Sequence, residues 1–207
     1  MNVKSMSLGP LGTNCHIVYD DQHAIIVDPG GEAATIIDYI QKEGLTTAAI
    51  LLTHAHFDHI GAVEDLRYHY NVDVYIHEAE ASWLENPHLN RSALFTGESI
   101  ITKKAEQLLL PGNMTIGEIQ FEVIHTPGHS PGSVSFIFND ASFVISGDVL
   151  FFQGIGRTDL PGGNGKQLEE SIKDKLYKLG DNFIVYPGHG PNTTIGNEKS
   201  NNPFFSV

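Results

Sequence analysis

The sequence of 207 residues is long enough for one sizeable core and too short for two independent catalytic domains. Its 41% hydrophobic and 18% charged residues are those of a globular protein, and no apolar run approaches the roughly 18 residues needed to span a bilayer. The net charge of −13 argues against a nucleic-acid partner, whose phosphates such a surface would repel.

Along the chain, the opening Met1-Asn-Val-Lys-Ser lacks the basic segment and apolar core of a signal peptide. Strands are expected near Val3–Ser7, Cys15–Tyr19 and Ala24–Val27, ending at the turn Asp28-Pro-Gly-Gly. Cys15 is the single cysteine, which excludes an internal disulfide and places the protein in a reducing cytoplasm. Ala33–Lys42 reads as a helix with Ile36, Ile37 and Ile40 on one face. The apolar run from Ala48 to Leu52 reads as a buried strand, and Ile60, Val63 and Leu66 follow helical spacing. Val72–Ile76 is a strand candidate. In the segment 78–112, Trp83 and the region Ile100–Leu110 indicate helix and lid, broken at Pro87, Gly97 and Pro111. Strands follow near Met114–Ile116, Ile119–His125, Ser133–Phe138, Ala141–Ile145 and Phe183–Tyr186, with a helix over Gln167–Leu179. Two halves of similar element order, each ending in polar donors, imply a site on the seam between two sheets.

Those donors are the strongest signal. Thr53-His54-Ala-His56-Phe-Asp58-His59 crowds three imidazoles and a carboxylate where a buried strand gives way to a helix. On extended chain His54 and His56 project to the same side, while Asp58 and His59, at the helix start, turn toward a second point nearby. Three glycine-flanked segments, each just beyond a strand, add His129 (Thr126-Pro-Gly-His-Ser), Asp148 (Ser146-Gly-Asp) and His189 (Pro187-Gly-His-Gly). Five histidines and two aspartates divide naturally into two sites of three protein ligands plus one shared carboxylate. Such sites keep positions open for water, as catalytic metal centres do. Imidazole and carboxylate without thiolate favour two Zn²⁺ ions and admit Fe or Mn. His125, on a strand, reads as a core histidine and His77 as a strand-end cap.

The pattern H-x-H-x-D-H, followed by a lone His, Asp and His, resembles the metallo-β-lactamase superfamily, over essentially the whole chain. That resemblance implies a four-layer αββα sandwich, two β-sheets flanked by helices, formed as a single domain over residues 1–207. It implies a first metal held by His54, His56 and His129, and a second by Asp58, His59 and His189, with Asp148 bridging. The segment Gly156-Arg157-Thr-Asp159-Leu-Pro-Gly-Gly, with Pro187-Gly-His-Gly-Pro and a terminal Asn202-Pro-Phe-Phe, resembles the short glyoxalase II-like hydrolases. Full-length glyoxalase II enzymes add a C-terminal helical region that grips glutathione. The sequence ends soon after His189, so that region is expected to be missing, and the carrier could be glutathione, another small thiol or coenzyme A.

Two cations sharing one oxygen would lower the pKa of bound water and supply a bridging hydroxide for attack on a carbonyl. Asp58 is placed to hold this nucleophile or accept its proton. A thiolate leaves without much protonation, since a thiol pKa is about 8.5, whereas an amine would need a general acid. The expected activity is therefore hydrolysis of small-molecule thioesters of hydroxy acids, of the S-lactoyl type. The alternative is an oxidoreductase similar to the persulfide dioxygenases, which would use one Fe held by two histidines and an aspartate from the same set. Two further residues have dual readings. Asp28 either orients a ligand histidine through its second nitrogen or serves the turn. Arg157 either binds a substrate carboxylate or pairs with Asp159.

Overall fold

The expected N-terminal strands open a six-stranded mixed sheet. The computed structural model describes residues 1–206, and the chain divides into two units, Met1–Leu109 with Thr115–Gln120, and Leu110–Met114 with Phe121–Val207. In the first unit the elements run β1 (Asn2–Leu8), β2 (Thr13–Tyr19), β3 (His23–Val27), α1 (Ala33–Glu43), β4 (Thr46–Leu51), α2 (Phe57–Ile60), α3 (Val63–Tyr70), β5 (Val74–His77), α4 (Ser92–Phe95) and β6 (Gln107–Leu109). The sheet keeps chain order, β1-β2-β3-β4-β5-β6. Its first two pairings are antiparallel and the next three parallel. Parallel neighbours need crossovers, and α1, α3 and the segment carrying α4 supply them in turn. Helix α1 buries Ile36 and Ile40 in a core with Ile17, Ile26, Ile50, Leu66 and Ile76.

The helix expected after the donor cluster is broken in two at Gly61 and Ala62. The cause is the Asp28–Gly31 turn, packed backbone to backbone against it: Ala62 N–H donates to the Pro29 carbonyl at 2.9 Å. A Cβ on Gly30 would lie 2.0 Å from the Asp58 carbonyl oxygen, and one on Gly61 would lie 2.3 Å from that of Gly30. Only glycine permits this approach. The region Ile100–Leu110 departs from its helical reading. Its end is the edge strand β6, whose Gln107 and Leu109 pair with Tyr75 and His77, and helix appears earlier, at α4.

The second unit carries β7 (Gly112–Ile116, shared with the first), β8 (Ile119–His125, likewise shared), β9 (Val134–Phe138), β10 (Phe143–Gly147), β11 (Leu150–Phe151), β12 (Gly154–Ile155), α5 (Gly165–Asp174), β13 (Ile184–Pro187), β14 (Thr193–Thr194) and α6 (Ile195–Asn201). Its sheet has the order β14-β13-β10-β9-β8-β7, and β11 with β12 forms a small separate hairpin. Strands β10 and β13 run parallel, and α5 makes the crossover between them. Leu168 and Ile172 of α5 pack with Val144, Leu150, Val185 and Ile195. Helix α5 stops short of the expected Leu179; Lys175 leaves helical geometry at φ −121, ψ −67, and a 3₁₀ turn, Leu176–Lys178, follows. The expected start of the strand at Ala141 is also a 3₁₀ turn, Asn139–Ala141. Both sheets are mixed and flanked by helices. Among the described residues no helix is long and apolar enough to cross a membrane.

Candidate metal centre

In the first unit, β4 delivers the chain to His54, and His56 stands in extended geometry (φ −66, ψ 147) as the N-cap of α2. Asp58 and His59 therefore fall on the first turn of that helix. All four side chains are buried, His54 and His59 completely. The His54 ring lies 4.7 Å from that of His56 and 4.1 Å from that of His59. Their donor atoms come within 4.8 Å of His54, and those of Asp58 and His59 lie equally close to each other.

Hydrogen bonds decide which nitrogen each ring presents. Asp28, fully buried in left-handed geometry at φ 51, accepts from Thr53 N–H at 2.7 Å and from the Thr53 hydroxyl at 2.6 Å. The same carboxylate stands 3.0 Å from Nδ1 of His59. Since the Thr53 proton goes to Asp28, its oxygen accepts from Nδ1 of His54, 3.0 Å away. Both rings thus carry their proton on Nδ1 and present the Nε2 lone pair, as metal-binding histidines do. Asp58 is held by the Thr13 hydroxyl, which donates to Oδ2 at 2.7 Å. A further carboxylate escapes sequence reading: Glu80, fully buried, accepts the Ala55 N–H at 2.6 Å and so fixes the backbone between His54 and His56. Its only signal is an acidic residue in the unassigned 78–112 segment.

In the second unit the parallel pairing of β10 with β13 sets their C-terminal ends side by side, Gly147 opposite Pro187, with Gly188 N–H donating to the Gly147 carbonyl at 2.8 Å. The chain turns out of each strand at Asp148 and at His189. One oxygen of Asp148, Oδ2, lies 3.6 Å from Nε2 of His189 and 3.6 Å from Nε2 of His129. His129 donates from Nδ1 to the Arg157 carbonyl at 2.9 Å, which again frees Nε2 for a metal. His189 is the most open of these side chains, at 30% exposure.

The Arg157 side chain turns away from its own carbonyl's task and forks onto Asp159 with two contacts of 2.7 Å. Those hydrogen bonds hold the exposed Asp159 carboxyl down at about 2. Elsewhere, His125 contacts the Pro131 carbonyl at 2.8 Å, and His77 caps a 3₁₀ turn by accepting the Ala79 N–H at 3.3 Å. Cys15 is fully buried, and burial pushes its thiol far up, so no thiolate joins the donors. A set of buried imidazole and carboxylate donors fits Zn²⁺, Fe or Mn.

Comparison with known proteins adds the ancestry of this arrangement. The profile of the metallo-β-lactamase superfamily matches residues 8–189. A probable metallo-hydrolase, YqgX of Bacillus subtilis, is 46% identical across 100% of this chain and 98% of its own. The hydroxyacylglutathione hydrolase GloC of Haemophilus influenzae is 37% identical across 100% of this chain and 99% of its own. The crystal structure of the BLEG-1 B3 metallo-β-lactamase is 50% identical and superposes with a TM-score of 0.97 over 100% of both chains. That of TTHA1623 in a di-iron-bound form is 39% identical, with a TM-score of 0.88 over 98% of this chain and 100% of the other.

Proposed function

The chain belongs to the metallo-β-lactamase superfamily of metal-dependent hydrolases, and on that premise we propose that it is a binuclear metallohydrolase cleaving small thioesters of hydroxy acids. Residues 1–207 act as one domain in this reading. His54, His56 and His129 would hold the first ion and Asp58, His59 and His189 the second, with Asp148 placed to serve both. The observation that carries it is the Asp148 oxygen at 3.6 Å from each of two imidazole nitrogens, the placement expected of a carboxylate shared by two cations. The di-iron form of TTHA1623 supports two metals on such a fold, and the nitrogen and oxygen donors suit Zn²⁺, Fe or Mn. When bound, the ions would acidify a water and polarise the substrate carbonyl.

The chain's own residues do the rest. Thr13 anchors Asp58 through Oδ2, which sets that carboxylate to orient the attacking water and take its proton. Asp28 and Thr53 keep His54 and His59 in one tautomer. A thiol with a pKa of about 8.5 departs as thiolate and asks for no general acid. The thioester class is supported by the hydroxyacylglutathione hydrolase that matches the chain end to end. The 50% identical BLEG-1 enzyme, a B3 metallo-β-lactamase, favours β-lactams as a second substrate class for the same centre.

The test joins elemental analysis of protein purified without added metal to hydrolysis assays on S-lactoyl thioesters of several thiols and on a β-lactam panel. Close to two ions per chain and thioester turnover are expected. Asp58→Asn should lower kcat at least about 100-fold. A single tightly bound iron, with oxygen consumed on a persulfide and no thioester cleaved, would overturn the hydrolase reading.

A further inference from the structure

One buried carboxylate has no part in the chemistry above. Glu198, on α6, is fully buried, and its two oxygens accept four hydrogen bonds. Oε1 takes the Thr193 hydroxyl at 2.6 Å and the Asn197 amide at 2.8 Å. Oε2 takes the Asn202 amide at 2.8 Å and the Gln153 backbone N–H at 2.9 Å. Two of these donors, Thr193 and Gln153, belong to segments that border His189. Thr193, on β14, follows His189 closely in the chain and fixes where its loop returns to the sheet. Gln153 forms the tip of the β11–β12 hairpin, in left-handed geometry at φ 51 that a non-glycine residue adopts only when held there. The hairpin's Phe151 sets its ring edge-on to His189, centroids 6.2 Å apart. Asn202, bound to the same carboxylate, also donates to the Gly154 carbonyl at 3.1 Å, a second tie to the hairpin.

We propose that Glu198 is a positioning residue for His189: one carboxylate fastens both the chain leaving His189 and the hairpin that packs against its ring. His189 needs such a device more than the other donors, because it sits on a glycine-flanked loop and is the most exposed of them. The inference rests on reading His189 as a metal ligand.

The experiment withdraws zinc stepwise from the full-length chain with a chromophoric chelator and records two affinities, alongside the denaturation midpoint. His189→Ala should lose one ion, which identifies the ion that depends on it. Glu198→Gln turns one acceptor into a donor facing other donors. Thr193→Val removes a single hydroxyl at nearly constant shape and serves if the first variant does not fold. Each should weaken the His189-dependent ion about tenfold or more and leave the other within twofold. A lower denaturation midpoint with both affinities unchanged, or equal weakening of both ions, would overturn the proposal while leaving His189 a ligand. Retention of two ions by His189→Ala would overturn the ligand reading, and the proposal with it.

Discussion

Asp28 shows how much local geometry can rest on one buried carboxylate. It satisfies two Thr53 donors and one histidine from a fully buried position. Asp28→Ala should cost about 2 kcal/mol or more, because it leaves buried donors unsatisfied. Urea denaturation of the metal-free protein reads this directly. Asp28→Asn keeps the backbone preference and should lose less. A different experiment belongs to Asp159, whose carboxyl Arg157 lowers from 3.8 to about 2. A lowered folded-state pKa favours folding above the ordinary value and loses that contribution as pH falls from about 4 toward 2. At pH 3 carbon NMR should find Asp159 largely ionised, and Arg157→Ala should leave it largely protonated. The pair lies exposed on the surface, so the melting temperature at pH 7 should hardly move. The seven candidate donors could be picked out in the sequence because their spacing around strand ends is informative by itself. Thr13 and Glu80 were not: they meet Asp58 and Ala55 across 45 and 25 residues of chain, and no local pattern encodes such a meeting.

Among the elements, the loop bearing His129 depends on α5. Gly128, at φ 136, lies so close to that helix that a Cβ would stand 2.3 Å from the Leu168 nitrogen. Gly128→Ala must push the loop off the helix, and should destabilise the fold by about 1–3 kcal/mol for the overpacking alone. Weaker metal retention should accompany the fall in melting temperature, since His129 is the next residue. A variant that melts like the parent would show that the contact gives way without cost. Elements with a full apolar period, such as α1 and β8, were legible nearly to the residue. Ile100–Leu110 misled because isoleucines and leucines at helical spacing also suit an edge strand, and pairing with β5 decided the matter. The break between α2 and α3 came from the Asp28–Gly31 turn, far away in sequence, although Gly61 marked the place.

At the scale of the whole molecule, the α/β class and the two groups of donors could be read from the alternation of strands, helices and glycine turns. The strand order could not, because pairing partners are chosen by packing between distant segments. Cys15 offers a gauge of the whole fold: it lies on β2, inside the first sheet, with no exposure, and burial raises its thiol. A disulfide reagent at pH 8 should leave the native protein unmodified and label it at a rate that tracks unfolding in urea. Rapid labelling without denaturant would mean that the first sheet opens on its own. That sheet has one more property, since each of its strands pairs with the one made just before it. A ribosome releasing about 5–20 residues per second would extrude residue 109 roughly 4–16 s before residue 189. During that interval the nascent chain can already display His54, His56, Asp58 and His59 on a finished sheet, so on the proposed ligand set the order of synthesis would give these N-terminal donors the first opportunity to capture an ion.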